Sequence, residues 1–263
     1  MSMNDSGERP DVLLSTVVKR AGFLTALASG PIPKRHLRDE LDVSRSTVYK
    51  AVRELHEYEL VERTDEGLAL TLAGRMLESE YGAFRSVAED VNRTRELLSV
   101  LPNDSRVSIE LVEDATTIFA ERHAPNHPLR YFEEMVSDAD RVLGISPVAL
   151  PQYVELFHDR TVGEGMAAEL VLERPVVEYL ITDYGERLNE ALASNQVSIW
   201  ELDTTLPFGL IVTEGKRDGV SLVVYDDRGE LRGLLTNDTS DAMAWAKDVF
   251  ETYRERATLI GGP

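Results

Sequence analysis

The sequence of 263 residues predicts an α+β protein, with helices in its amino-terminal part and an α/β domain in its carboxyl-terminal part. Two observations predict this architecture. Up to about Leu101 the apolar residues recur with the spacing of a helix face, interrupted by one short pair of strands. From Pro102 onward, short runs rich in Val, Ile and Leu alternate with helical stretches, which is typical of a layered parallel sheet. We therefore expect three segments, over residues 1–75, 76–101 and 102–263.

The composition indicates a globular protein with a strongly acidic surface. Hydrophobic residues make up 43% and charged residues 29% of the chain, and the formal net charge is -19. Only 5 of the 28 basic residues are lysine. An acidic, lysine-poor surface is typical of proteins from salt-loving archaea, in which carboxylates keep the surface hydrated. We predict a halophilic, archaeal source, and an ordinary acidic protein is the alternative.

The charge is distributed unevenly along the chain. Residues 1–85 carry 12 basic and 14 acidic side chains, whereas residues 86–263 carry 16 and 33. Within residues 34–53, six bases outnumber three acids. This asymmetry predicts two domains that bind different partners.

Several features that would indicate another class of protein are missing from the sequence. No apolar run reaches the roughly 18 to 20 residues that cross a bilayer. The absence of cysteine excludes disulfides, thiolate metal sites and cysteine redox chemistry. The opening residues, MSMNDSGERPDVLL, lack the basic-then-apolar order of a signal peptide. We predict a cytoplasmic protein with no membrane partner.

Three helices are expected before residue 60. The first runs from Val12 to about Ala28, where a Gly-Pro pair ends it. Pro33 suits the first turn of a short second helix, and a tight turn follows. Ser44 is a good N-cap for the third helix.

The third helix has two contrasting faces. Val48, Ala51, Val52 and Leu55 recur at i, i+3, i+4 and i+7 and predict a buried stripe. The other face carries basic, hydroxyl and tyrosine side chains, which would meet base edges and phosphates if the helix entered the major groove of DNA. The alternative is an amphipathic helix with a solvated charged face. The predicted DNA contacts here are Lys34, Arg35, Ser44, Arg45, Ser46, Thr47, Tyr49, Lys50 and Arg53.

A short hairpin is predicted after the third helix. Leu60-Val61 and Leu68–Leu70 can pair across residues 65–67, whose glycine suits a tight turn. The order VSRSTVYKAVRELHEYELVER followed by GLALTLAGR resembles the winged helix-turn-helix of archaeal and bacterial transcription regulators. The resemblance implies double-stranded DNA as the partner and places Arg63 on the wing, within reach of a minor groove or phosphate. The wing is otherwise acidic.

A linker helix is expected to follow the hairpin. Its apolar residues suggest the a and d positions of a heptad pattern and predict a homodimer seam. The a positions are Leu77, Phe84, Val91 and Leu98, and the d positions are Val87, Thr94 and Leu101. Glu80 occupies a further d position and weakens the pattern. The alternative is a helix that packs on its own carboxyl-terminal domain.

Six strands and two intervening helical stretches are expected in the carboxyl-terminal domain. RVLGISPV, AAELVLE and VSIWELD are separated by helical stretches over 149–162 and 175–194, which predicts three parallel strands. FGLIVTE, GVSLVVYD and ELRGLLTN follow closely, the last two joined by a hairpin at DDRG. SDAMAWAKDVFETYRERA predicts a closing helix capped by Ser240.

Residues 105–256 carry a second resemblance. EDATTIFAERHAPNHPLRYFEEMVSDADRVLGISPVALPQYVELFH and LPFGLIVTEGKRDGVSLVVYDDRGELRGLLTNDTSDAMAWAKDVFETYRERA resemble the middle, ligand-sensing domain of the archaeal methanogenesis-regulator family. The layout is also similar to half of a phospholipase D-like fold, as in the sugar-sensing TrmB regulators. The resemblance implies a dimeric one-component transcription regulator with a small-molecule effector, and it does not imply a role in methanogenesis.

Motifs of common enzymes are missing. No histidine is followed two residues later by lysine, as a phospholipase-like phosphodiesterase requires, and no Gly-x-Ser-x-Gly, phosphate-binding or dinucleotide-binding loop occurs. His123 and His127 have metal-ligand spacing, but Pro125 and Pro128 favour a loop. We expect no catalytic residue, no metal and no cofactor. The alternatives are an enzyme acting on a small molecule through the α/β domain, or a protein–protein adaptor.

A small ligand of an open parallel sheet is expected at the carboxyl ends of its strands. Ser146, Glu173 and Asp203 end the three predicted parallel strands. Neighbouring elements can add stacking or charge. The predicted ligand contacts are Ser146, Tyr153, His158, Arg160, Glu173, Asp203 and Phe208. For each of them, an ordinary place in the core or on the surface is the alternative.

Overall fold

The computed structural model describes residues 10–262. Residues 1–9, which contribute to the prediction that no signal peptide is present, lie outside the described residues. The chain forms two compact units, Met1–Ala88 and Glu89–Pro263, whose boundary falls within a long helix. The predicted α+β class is confirmed, with helices dominating the first unit and a large sheet in the second. None of the helices within residues 10–262 is long and apolar enough to cross a membrane.

The N-terminal unit contains three helices, a two-stranded sheet and the first part of a fourth helix. In chain order these are α1 (Pro10–Ala28), α2 (Lys34–Glu40), α3 (Arg45–Glu57), β1 (Val61–Thr64), β2 (Gly67–Leu70) and α4 (Leu72–Leu98). As predicted, Ser44 caps α3, since its hydroxyl accepts a hydrogen bond from the Thr47 amide at 3.1 Å. The predicted apolar stripe of α3 is buried in the core of this unit.

The hairpin formed by β1 and β2 is held against the segment that precedes α2. Val61 pairs with Leu70 and Thr64 with Gly67, so the turn itself is Asp65-Glu66. Ile32 and Leu68 exchange two backbone hydrogen bonds, at 2.9 and 3.0 Å. Gly67 has φ 147°, and a Cβ there would lie 2.5 Å from the Ile32 carbonyl carbon. The glycine is therefore required by the close approach of the two backbones.

A partly buried ion pair joins α1 to α3. The Arg20 guanidinium is only 7% exposed and donates to the Glu54 carboxylate at 2.8 Å, and the Lys19 ammonium donates to the same carboxylate at 3.2 Å. The hydrogen bond from Arg20 is the main cause that lowers the pKa of Glu54 to about 2. This ion pair adds to the apolar contacts that hold the inner side of α3 against α1.

The residues of the predicted heptad pattern differ in burial along α4. Leu77 packs against the core of the N-terminal unit, and Leu98 packs against a core of the C-terminal unit, where Thr94 is buried. Between these positions, Phe84 is 67% exposed and Val91 is 39% exposed. Only the middle of the pattern therefore presents apolar side chains at the surface of the helix.

The C-terminal unit is built on an eight-stranded mixed sheet. Its helices are the end of α4, α5 (Ile109–Val112), α6 (His127–Ser137), α7 (Pro151–His158), α8 (Arg174–Asp183), α9 (Gly185–Ala193) and α10 (Ser240–Arg254). Its strands are β3 (Thr116–Phe119), β4 (Ala139–Ser146), β5 (Ala167–Glu173), β6 (Val197–Leu202), β7 (Gly209–Gly215), β8 (Gly219–Tyr225), β9 (Leu231–Asn237) and β10 (Thr258–Gly261). The strand order is β10-β6-β5-β4-β7-β8-β9-β3.

The predicted arrangement of the inner strands is confirmed, and several outer elements differ. β4, β5 and β6 are parallel, and β8 and β9 form the predicted hairpin. The edge strands β3 and β10 were not predicted. The cap of α10 is Thr239, whose hydroxyl accepts from the Ala242 amide, so the assignment of the cap to Ser240 was wrong. The loop expected around His127 is instead the start of α6.

The two faces of the sheet have separate cores. One core includes Phe208, Leu210 and the inner side of α10, together with α5 and the end of α4. The other includes Tyr153, Ile211 and Tyr225 and is covered by α6, α7, α8 and α9. Because side chains alternate along a strand, neighbouring residues such as Leu210 and Ile211 belong to different cores.

Candidate nucleic-acid interface and ligand cavity

Three basic side chains from three elements surround the exposed ring of Tyr49. Tyr49 on α3 is 51% exposed. The Lys34 ammonium of α2 lies 5.1 Å from its ring centroid, and the Arg45 guanidinium carbon lies 5.5 Å from it. The hydrogen bond that Arg45 donates to the Tyr49 hydroxyl, at 3.4 Å, is the main cause that lowers the pKa of Tyr49, and the charges of Lys34 and Arg63 contribute. We call Lys34, Arg45, Tyr49 and Arg63 the Tyr49 cluster.

The other predicted DNA contacts lie on the same side of α3 or at its start. The hydroxyl of Ser44, the N-cap of α3, is 2.8 Å from the hydroxyls of both Ser46 and Thr47. Lys50 and Arg53 are exposed, and the Arg53 guanidinium is 3.6 Å from the Glu57 carboxylate. The capping hydroxyls fix the start of the helix, and the bases project beyond it.

The remaining predicted contacts flank this face. Arg35 is exposed on α2 and donates to the His36 imidazole at 3.3 Å. Arg63 is exposed on β1, between the acidic Glu62 and the turn at Asp65-Glu66. Cations from α2, α3 and β1 therefore combine on one unit of an otherwise acidic chain. Such a surface is suited to a polyanion.

An apolar cavity in the C-terminal unit lies between one face of its sheet and helices α7, α8 and α9. Its volume is about 120 Å³. Three predicted ligand contacts line it, namely Ser146, Tyr153 and His158. Gly144 forms part of its wall, where a Cβ would lie 3.0 Å from side-chain atoms of both Leu170 and Ile211. A larger residue at position 144 would therefore crowd these two side chains.

Two predicted ligand contacts make structural bonds outside the cavity. Arg160 lies in a π-helical segment, Asp159–Gly163, and its guanidinium donates to the Ala139 carbonyl at 2.5 Å and pairs with Glu164. The Glu173 carboxylate accepts from the Leu206 amide at 2.7 Å, and burial raises its pKa.

The last two predicted contacts also lie away from the cavity. Asp203 pairs with Arg174 at 3.2 Å on the surface. Phe208 is fully buried in the core on the opposite face of the sheet. The structure therefore brings three of the seven predicted residues to the cavity, which lies under the helices of one face and reaches the carboxyl end of β4 at Ser146.

Sequence reasoning missed most of the aromatic wall of this cavity. Phe132, Phe157, Tyr184 and Tyr225 line it, and the ring centroids of Phe132 and Tyr153 are 4.3 Å apart. Strand alternation was the available signal for Tyr225, since it shares a sheet face with Val223, which also lines the cavity. The helical residues gave no such signal, because their position depends on how α6, α7 and α9 pack.

The polar groups of the cavity differ in their hydrogen bonding. The Ser146 hydroxyl donates to the Val148 carbonyl at 2.7 Å. The Tyr153 hydroxyl is buried and has no hydrogen-bond partner. Burial is the main cause that raises the pKa of Tyr153 to about 12. Burial also raises the pKa of Tyr225 well above its usual value, and Tyr153 interacts with Tyr225 without forming a hydrogen bond of normal geometry.

Comparison with known proteins bears on both units. Residues 125–256 match the family described as the methanogenesis regulatory protein FilR1, middle domain, and residues 12–96 match the family described as the HVO_A0261 N-terminal domain. The chain belongs to the FilR1 middle-domain family. The resemblance to methanogenesis regulators is thereby confirmed. No curated protein matches the sequence.

Solved structures give weaker similarities to this FilR1 family member. TrmBL2, an archaeal chromatin protein with a novel mode of DNA binding, aligns with TM-score 0.44 and 14% identity over 92% of this chain and 93% of its own. NucT from Helicobacter pylori aligns with TM-score 0.42 and 9% identity over 56% of this chain and 99% of its own. A putative O-methyltransferase from Nostoc punctiforme PCC 73102 aligns with TM-score 0.22 and 13% identity, over 75% and 66% of the chains.

Proposed function

We propose that this protein is a one-component transcriptional regulator, in which residues 1–75 bind double-stranded DNA and residues 102–263 respond to a small effector. The observation that carries the proposal is the Tyr49 cluster on the outward face of α3. Membership of the family named for the FilR1 regulator supports it. A cytoplasmic location follows from DNA as the partner. The likeness of the second domain to half of a phospholipase D-like fold stays a prediction.

The geometry of α3 supports a role as a recognition helix. Its inner side is fixed by buried apolar residues and by the bond between Arg20 and Glu54. Its outer side presents Arg45 and Tyr49 near its amino-terminal end, which is the part of a recognition helix that contacts base edges. Lys50 follows on the same face and can reach phosphate.

The flanking elements extend this contact along the duplex. Lys34 and Arg35 stand at the start of α2 and are suited to the phosphate backbone beside the groove. Arg63 projects from the wing and is suited to the minor groove or a phosphate. The acidic residues of the wing limit its contribution, so α3 supplies most of the affinity in this proposal.

Selection of duplexes from a random-sequence pool by the purified full-length protein tests the proposal. We expect enrichment of a defined sequence containing two half-sites about 34 Å apart, which is one helical turn of DNA. Recovery of the unselected pool after repeated rounds, from a folded protein, would show that the chain does not read DNA sequence. An adaptor role would then replace the regulator.

We further infer that the middle of α4 pairs with the same helix of a second copy of the chain. Phe84 and Val91 are exposed one heptad apart, and Val87 lies between them on the same side of the helix. Both ends of the heptad pattern pack against cores of the same chain, so the contact with a second copy is confined to residues 80–91. A two-fold dimer would place two α3 helices on one side of the DNA.

Glutamate at both Phe84 and Val91 is expected to dissociate the dimer, because four carboxylates would enter one apolar seam. Sedimentation of the full-length protein should show a dimer dissociation constant at least about 100-fold larger than that of the wild type. The reason is that two or more apolar contacts per chain are lost. Glutamate at both Ile181 and Leu259 is the matched control, since Ile181 on α8 is 58% exposed and Leu259 on β10 is 49% exposed. A wild-type protein that sediments as a monomer at every concentration would refute the seam.

The acidic composition supports a protein that works in concentrated salt. At molar salt the Debye length is about 3 Å, so the acidic second unit repels DNA only weakly. The gain from counterion release also fades, and direct contacts must supply the affinity. We therefore expect the affinity for a selected duplex to fall by less than about tenfold between roughly 1 and 2 M KCl. Titrations at several KCl concentrations measure this slope, and a steep loss over that range would contradict a halophilic source.

A further inference from the structure

The interior of the apolar cavity has no partner for a charged ligand. Among the residues that the structure describes, His158 and Arg187 are the basic ones that line it, and both pair with acids. The His158 imidazole is 2.7 Å from the Glu190 carboxylate, and the Arg187 guanidinium is 3.4 Å from the Glu155 carboxylate. Arg187 is 43% exposed, which places it at the rim. A buried ionic ligand would lose its hydration without gaining a counter-charge.

The shape of the cavity limits the size of its ligand. The cavity has a volume of about 120 Å³, and aliphatic and aromatic side chains from the sheet and from α6, α7, α8 and α9 line it beneath an open rim. An apolar cavity of roughly 150 Å³ is sufficient to bind benzene. The present cavity is somewhat smaller, so a single ring with a small substituent fills it when a side chain at the open rim adjusts. Nucleotides and oligosaccharides are too large.

One polar group in the cavity is available to a ligand. Tyr153 is 9% exposed and lines the cavity, and its buried hydroxyl lies near Tyr225 but makes no hydrogen bond of normal geometry within the described residues. A buried hydroxyl is ordinarily hydrogen-bonded, because leaving it unpaired forfeits the hydration it had in water. The ring is held in place by Phe132, at 4.3 Å between centroids. The hydroxyl can therefore donate to one acceptor atom at a defined position.

We propose that the cavity binds a small, uncharged, mostly apolar ring compound whose single oxygen acceptor receives a hydrogen bond from the Tyr153 hydroxyl. This inference rests on the effector response proposed above and specifies the chemical class of the effector. It excludes sugars, because several ligand hydroxyls would be buried against an aliphatic wall without partners. It also excludes carboxylates and phosphates, for lack of an internal cation.

Three probes that differ in one group test the inference on the full-length protein. Acetophenone carries a ring and a carbonyl acceptor, toluene lacks the acceptor, and benzoate carries a charge. We expect acetophenone to bind about 3- to 10-fold more tightly than toluene, as one net hydrogen bond allows. Benzoate should bind at least about 100-fold more weakly than acetophenone, because its charge is desolvated without a partner. Calorimetry or ligand-observed NMR measures all three affinities.

Variants assign the binding to this cavity and to Tyr153. Tyr153→Phe should equalise acetophenone and toluene without abolishing either. Ala191→Phe should fill the cavity and abolish both, and Ala149→Leu provides a second filling variant if the first does not fold. An unchanged preference in Tyr153→Phe, or benzoate binding as tightly as acetophenone, would overturn the inference.

Binding to a selected duplex, measured on the same preparations, separates this inference from the proposed function. A protein that binds the duplex and none of the probes would overturn the ligand class and leave the regulator intact. A protein that binds acetophenone as expected but no duplex would support the ligand class and refute the regulator.

Discussion

Alanine at both Arg45 and Lys50 is expected to weaken binding to a selected duplex by about 100-fold or more. Each good contact of a basic side chain with a base contributes about 1–3 kcal/mol, and each phosphate contact adds a smaller, salt-dependent amount. Both residues are exposed on α3, on the side opposite its buried stripe. The fold should be unaffected, because neither residue contributes to the core. Fluorescence anisotropy with a labelled duplex at fixed KCl measures the loss.

A control of equal charge separates a local contact from the effect of net charge. Lys216 and Arg217 are exposed in the turn after β7, and alanine at both removes the same two charges from the C-terminal unit. We expect the affinity of this control to stay within about 3-fold of the wild type, because these two charges lie outside the unit that carries α3 and salt screens long-range attraction. Equal losses in the two double variants would show that α3 has no special contact with DNA.

Gly74→Ala is expected to destabilise the N-terminal unit by about 3 kcal/mol or more, as overpacking against backbone does. A Cβ at this residue would lie 2.0 Å from the Leu60 carbonyl oxygen. That oxygen already accepts a hydrogen bond from the Thr71 amide at 3.0 Å, and the Thr71 hydroxyl caps α4 by accepting from the Gly74 amide at 3.0 Å. The start of α4 therefore cannot move away without losing its cap. Denaturant unfolding followed by circular dichroism measures the change.

Gly82→Ala is the matched control in the same helix. A Cβ at Gly82 meets nothing within 4 Å. Alanine is the better helix former by about 1 kcal/mol, so this variant should be as stable as the wild type or more stable. If Gly74→Ala unfolds at the same denaturant concentration as Gly82→Ala, the close approach between α4 and Leu60 is not a constraint on the fold.

The N-terminal unit was largely predictable because its signals are local. The stripe of α3 and its Ser44 cap lie within a dozen residues, so periodicity and capping chemistry identified the helix and its buried face. The ion pair between Arg20 and Glu54 was not predictable, because its members are 34 residues apart and only the packing of α1 on α3 brings them together. The Tyr49 cluster combines both cases. The positions of Arg45 and Tyr49 on the outer face of α3 were predictable from helix periodicity, whereas the contact between Tyr49 and Lys34 of α2 was not.

The C-terminal sheet was predictable where its strands are long and buried. β4, β5 and β6 have 6 to 8 residues each and consist largely of Val, Ile, Leu and Ala. The edge strands β3 and β10 have 4 residues each, which gives too short a pattern to distinguish from a loop. α6 was missed because Pro128 was taken as a breaker, although proline is well tolerated in the first turn of a helix.

The ligand residues were the least predictable part of the protein. Phe208 and Gly209 are adjacent, yet Gly209 lines the cavity and Phe208 packs in the opposite core, because successive residues of a strand face opposite ways. The sequence does not tell which of the two faces has a cavity. That depends on how α7, α8 and α9 pack on the sheet, and hence on long-range contacts.

Photo-crosslinking from residue 49 tests most directly whether the outward face of α3 contacts DNA. Tyr49 is replaced by p-benzoylphenylalanine, which keeps an aromatic ring at this exposed site, and Tyr179 on α8, also exposed, receives the same replacement as a control. With a selected duplex present, illumination should attach DNA to the protein from residue 49 and not from residue 179. Crosslinks from residue 49 that join only protein to protein, with the duplex bound, would contradict the proposal that this face of α3 enters a DNA groove.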